Sequence, residues 1–164
     1  MANPIDGQNS AESVQAQIRS AFPNFVYSGP ITSADGKTGE DYDEPEALYN
    51  ELHGKAWSEI SAPFVRGNAH GLVLLTVEAF AAYLPAWLIE GIADPQVGEV
   101  MVYTFCPEHG KDRQRMDSRM ERLNAMQKEA LSTFLAYCYQ TNSSKFLRDR
   151  TEQALAYVRN FCDA

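Results

Sequence analysis

Residues 71–92 read GLVLLTVEAFAAYLPAWLIEGI, a long apolar stretch with a proline, Pro85, near its middle. Such a segment has two ordinary fates, a bilayer span or the core of a globular domain. Glu78 and Glu90 lie within it. An acidic side chain at mid-membrane costs roughly 2.5–3.5 kcal/mol on insertion scales, and less toward the ends of a span. Pro85 adds a further penalty, and no basic cluster flanks either side. Leu72–Ile92 therefore reads as a buried core segment. Thr76 is suited to cap a helix there, with Glu78 in the first turn near the positive end of its dipole. Pro85 cannot donate an N–H and would meet the carbonyl of Ala81. That predicts a kink, or a split into two helices with Pro85 opening the second.

The rest of the chain supplies partners for this segment. At 164 residues, 45% of them hydrophobic, it can build a core without disulfides or metals. Residues 1–9 read as a flexible terminus and 10–164 as a single helical domain. Ser10 precedes a helix with Val14, Ile18, Ala21 and Phe22 on one side, which Pro23 stops. Residues 24–43 are dense in Gly, Ser, Thr and Asp and read as a surface loop, in which Phe25, Val26 and Tyr27 pack back or run extended. A helix near Asp43 carries Leu48 and Leu52 inward and closes at Gly54. GKAWSEISAPF then leads to the apolar segment. Val97–Phe105 fits either a strand or a short helix, and residues 107–118 look like a polar connector. Asn124 and Gln127 resemble a capping box for a helix that buries Ala130, Leu131, Phe134, Leu135 and Cys138. A last helix from Lys145 turns Leu147, Ala154, Leu155, Val158 and Phe161 inward. The expected fold is all-α, a compact bundle of five or six helices with the central one kinked or broken at Pro85.

Charge narrows the function classes. Fourteen basic and 22 acidic residues leave a net charge of −8. With no evident Lys/Arg stripe, nucleic acid is a disfavoured partner, whereas a basic protein partner is compatible. Three cysteines do not make a disulfide framework, and the polar N-terminus does not read as a secretory signal, so reduced thiols in a cytoplasm are expected.

No motif settles a chemistry. Gly36-Lys37-Thr38 lacks the glycine a phosphate loop needs, since Ile31 holds that position. The run from Glu40 to Glu44 does not match the ligand spacing of a calcium loop, and a solvated, acid-rich helix start is the simpler reading. Cys106 and His109 have the spacing of two zinc ligands, but no second pair accompanies them. No metal and no cofactor are expected. Glu90 follows Ala86-Trp87-Leu88-Ile89; if buried, it could act as a general acid, and otherwise it is a polar-face residue near a helix end. Phe80, Tyr83 and Trp87 form an aromatic stripe, which is core packing or, if exposed, a groove for a partner helix. The candidate binding residues are Asp41, Asp43, Glu44, Tyr83, Trp87 and Glu90.

The string Leu74-Leu75-Thr76-Val77-Glu78-Ala79-Phe80, followed by Tyr83-Leu84-Pro85-Ala86 and Leu88, resembles the signature L-T-x-E-A-F-x-x-Y-L-P-A-x-L of an uncharacterised family of small bacterial proteins. Other pieces agree in order: Ala21-Phe22-Pro23, Asp43-Glu44, Gly54-Lys55-x-Trp57, Gln127 ahead of Phe134-Leu135-x-Tyr137, and Ala154-Leu155-x-Tyr157. The likeness spans roughly residues 11–160. It departs at Val158-Arg159, where the family often has a tryptophan after the tyrosine. The resemblance implies a bacterial cytoplasmic helical domain and carries over no activity or site. Two functions follow as expectations. One is an acidic protein-interaction module of immunity or antitoxin type that neutralises a basic partner. The other is a hydrolase-like enzyme using Glu78 or Glu90 beside the Pro85 kink, which requires those carboxylates to meet a histidine or tyrosine in one pocket.

Overall fold

A computed structural model describes residues 9–162. Eight α-helices run in chain order through these residues: α1 Ala11–Ala21, α2 Asp43–Leu52, α3 Ala62–Gly67, α4 Val77–Ala93, α5 Pro95–Thr104, α6 Lys111–Arg122, α7 Ala125–Thr141 and α8 Lys145–Arg159. Three short 3-10 helices, Glu40–Tyr42, Trp57–Glu59 and Ala69–Leu74, lie between them. Extended pairing among the described residues amounts to two isolated β-bridges, Val26 with Ala56 and Thr32 with Leu75. The all-α expectation holds.

Helix starts follow local chemistry. Ser10 caps α1 by accepting from the Ser13 N–H at 3.1 Å. Asn124 and Gln127 close the expected box on α7, each side chain accepting from the other's backbone N–H at 2.9 and 3.0 Å. α2 stops at Leu52, and Gly54 beyond it turns with φ of +76°, a conformation that favours glycine. Each device satisfies backbone groups that a helix end leaves open.

α4 is the hub. It packs on α1, α3, α5, α6 and α7. Eleven of its 17 residues are buried, so it lacks the single apolar stripe of a surface helix and is enclosed on nearly every side. Thr76 caps it as expected, accepting from the Ala79 N–H at 3.2 Å. The same hydroxyl donates to the Pro30 carbonyl at 2.8 Å, and the Thr76 N–H donates to Ile31 at 2.9 Å. These bonds tie the 24–43 loop to the helix, and Ile31 and Thr32 of that loop are buried. Tyr27 packs back with its ring edge-on to Tyr83, whereas Phe25 and Val26 stay exposed.

Several expectations need correction. α4 runs unbroken through Pro85, so Pro85 does not open a second helix. Its missing N–H costs one ladder bond, and packing from five neighbouring helices carries the segment across the gap. Of the two readings open for Val97–Phe105 the helix is the one found, as α5 to Thr104, started by Asp94 accepting from the Gln96 N–H and by Pro95 at the first position. The supposed connector at 107–118 is mostly α6, which buries Met116, Arg119 and Met120 at helical spacing. The stretch before the apolar segment also forms α3, capped by Ser61. The described residues thus hold eight α-helices rather than five or six. The expected flexible terminus falls mostly on residues 1–8, outside the described residues; the Asn9 N–H donates to Gln140. No helix of the described residues is long and apolar enough to cross a membrane.

Candidate functional site

The acidic segment sits where the 24–43 loop enters α2. Asp41, Asp43 and Glu44 are exposed on the 3-10 turn Glu40–Tyr42 and the first turn of α2. There they complement the positive end of the α2 dipole. None of the three has a cationic partner within ion-pair distance among the described residues. The Lys37 ammonium lies 5.5 Å from the centroid of the Tyr42 ring, beside the segment. Asp35 is employed differently: its carboxylate accepts from the Ile31 and Thr32 N–H groups at 2.7 and 2.8 Å and so shapes the loop. Glu44 also lines a cavity of about 260 Å³ with Arg66, His70 and Asp94.

Tyr83 and Trp87, two other candidate binding residues, are wholly buried and present no ring to a partner. The Tyr83 hydroxyl reaches the Leu52 and Lys55 carbonyls at 2.9 and 3.1 Å, closing the end of α2 onto α4. Burial, with a smaller contribution from Tyr27, pushes its pKa up to about 12. The Trp87 indole N–H donates to the Asn68 carbonyl at 3.2 Å. The aromatic stripe is therefore core, and its polar atoms seal the ends of α2 and α3.

Glu90 is buried rather than on a polar face, and Arg66 of α3 meets its Oε1 at 3.4 Å. It lines a small cavity with Arg19, Trp57 and Ile89. Glu78 lies elsewhere, in a cavity with Phe25, Tyr27 and Arg122. His70 and His109 line two further cavities, and His53 stacks on Tyr49 with ring centroids 4.8 Å apart. The groups a hydrolase would need are dispersed over separate surfaces. In these two cavities Glu78 meets one tyrosine, Tyr27, and no histidine, while Glu90 meets neither, so the two glutamates and the histidines do not come together in one site. Among the described residues no three His, Cys, Asp or Glu side chains cluster to hold a metal ion.

Two features escaped sequence reasoning. Arg119 is buried, donating from Nη2 to the Val73 and Leu75 carbonyls at 2.6 and 3.1 Å, with its guanidinium 5.4 Å from the Phe80 ring. Its burial, and then Arg115 nearby, lower its pKa from the usual arginine range. The second feature is charge polarity along the chain. Ten of the 14 basic residues but only seven of the 22 acidic ones fall in 111–164, a local net charge of +3 against −11 for the first 110 residues. Grouping charges by segment would have revealed it.

A family of unknown function (DUF6714) matches residues 10–161, nearly the whole described chain. The chain belongs to this family. Comparison with curated proteins and with solved structures finds no match. The match spans the chain from α1 through α8, including the α2 entry and the α6–α8 region.

Proposed function

We propose that the protein is an interaction module that docks a basic protein partner on the acidic entry to α2, in the manner of an immunity or antitoxin protein covering a basic target. The observation that supports this is the exposure of Asp41, Asp43 and Glu44 in one short segment, with no cation within ion-pair distance of them among the described residues. Carboxylates left unpaired on a chain with other acidic groups nearby repel one another, and a partner's Lys and Arg residues would relieve that repulsion. Complementary charge of this kind speeds encounter and selects partners more than it adds affinity. The bacterial origin and cytoplasmic setting implied by the sequence resemblance suit such a role. The dispersal of Glu78, Glu90 and the histidines supports this reading over the hydrolase-like one.

The test uses the intact chain as bait in an extract of its native host, at moderate salt, beside the D41K/D43K/E44K variant. The expected result is a stoichiometric basic protein that the wild type retains, that high salt releases and that the variant fails to hold. Absence of any stoichiometric partner, or equal retention by the variant, would overturn the proposal.

A further inference from the structure

The end of α5, the start of α6 and one face of α8 enclose an open cavity of about 540 Å³. Its walls carry two guanidinium groups, Arg113 from α6 and Arg150 from α8. Both side chains are half-buried, and among the described residues neither has a carboxylate within ion-pair distance. Each is nonetheless held in place. Arg113 lies 5.1 Å from the Tyr157 ring centroid, and Arg150 lies 5.6 Å from Phe146 and 5.9 Å from Tyr103.

Neighbouring bonds lock this frame. The Tyr157 hydroxyl donates to Asp117 at 2.7 Å, which engages the carboxylate one turn along α6 from Arg113. The Cys106 thiol donates to the Arg150 carbonyl at 3.2 Å, tying the end of α5 to α8, and Arg150 donates to Gln153 at 3.4 Å. α6 begins at Lys111 after Gly110, and His109 and Arg113, on either side of that start, both line the cavity. Glu108 also lines it and opposes with one negative charge. Two guanidinium groups against one lining carboxylate leave the cavity wall with a formal surplus of one positive charge, with Asp117 held outside the lining on the Tyr157 hydroxyl, in a chain whose net charge is −8.

We infer that this cavity binds the phosphate of a small phosphomonoester. Guanidinium forks match phosphate oxygens two at a time, and aromatic support beneath them reduces the entropy lost on binding. The volume exceeds what a bare phosphate fills and falls in the range of small-molecule sites. The site is remote in sequence from the acidic entry to α2 and does not depend on the interaction reading.

Calorimetric titration of the full chain with phenyl phosphate and with inorganic phosphate, in a phosphate-free buffer, tests the inference. Saturable binding of phenyl phosphate is expected, with amide shifts confined to residues 105–113 and 146–157. R113Q and R150Q are each expected to weaken it about tenfold or more. Equal affinity for inorganic phosphate would assign the site to the free anion and retain the same chemistry. Failure of both probes to saturate, or shifts centred elsewhere, would overturn it, and the wild-type shift map decides this without any variant. So would unchanged affinity in the double variant, provided its thermal unfolding matches the wild type.

Discussion

Gly91 of α4 and Gly98 of α5 face one another where the two helices meet. A Cβ added at Gly98 would stand 2.8 Å from the Gly91 carbonyl oxygen, with the Cys138 sulfur at 3.9 Å. Ordinary contact begins near 3.4 Å, so α5 would have to retreat by roughly half an ångström from the most enclosed helix of the fold, and backbone cannot yield as a side chain does. Overpacking costs about 1–3 kcal/mol, and a clash with backbone, which no rotamer change relieves, belongs to the upper part of that range, about 2–3 kcal/mol. Against it stands the helix-propensity gain of Gly→Ala, about 1 kcal/mol. The expected net loss for G98A is about 1–2 kcal/mol, and at roughly 2–4 °C per kcal/mol for a chain of this size the melting temperature falls by about 2–8 °C. Urea and thermal unfolding followed by circular dichroism measure it. G91A meets the Phe134 ring at 2.9 Å, a side chain that can shift, and should lose less. G67A meets nothing within 4 Å and serves as the neutral control. A G98A protein as stable as the wild type would refute the reasoning, because it would mean that α4 and α5 do not meet at these two residues.

Other outcomes follow from single contacts. T76A removes the α4 cap and the hydroxyl bond to Pro30, and should destabilise by about 1–2 kcal/mol in the same unfolding assays. Stability should fall at alkaline pH. The Tyr83 pKa rises to about 12 in the folded protein from an ordinary value of 10.0, and Tyr157 is raised too, by burial first and then by its bond to Asp117. A raised folded pKa means that this contribution is complete below pH 10 and is lost as pH climbs toward 12; Y83F should flatten that part of the profile in pH-dependent urea melts. Thiol alkylation of the folded chain, read by peptide mass spectrometry, should modify exposed Cys162 first. Cys138 should resist, because burial pushes its thiol pKa up to about 12, and Cys106, raised by partial burial, should react slowly. Comparable labelling of Cys138 and Cys162 would contradict the packing of α7.

What was legible depended on how local the governing rule is. Caps at Ser10, Thr76 and Asn124 and the turn at Gly54 are settled within a few residues, so spacing alone located them. α6 was missed because its buried side is Met116, Arg119 and Met120 amid charged residues; an arginine counts as polar in any pattern, yet this one is buried against two carbonyls. The candidate residues divided along the same line. Asp41, Asp43 and Glu44 lie on a polar helix start and stayed exposed as their neighbours imply. Tyr83, Trp87 and Glu90 lie on an element buried on most sides, where no periodicity tells a partner-facing position from a core-facing one. The cavity holding Arg113 and Arg150 joins residues 37 positions apart, a distance over which spacing carries no information.

By itself the sequence determined that Leu72–Ile92 would be the centre of an all-α fold, since a run that apolar has to be enclosed and its acidic residues and proline fit a lipid span poorly. Only the tertiary structure decided that Pro85 leaves this helix whole, that Glu90 is buried against Arg66, and that the aromatic stripe serves the core. The physical reason is common to all three. Each outcome depends on what other helices place around α4, and packing from α1, α3, α5, α6 and α7 supplies the energy and the partners that the segment's own residues cannot specify.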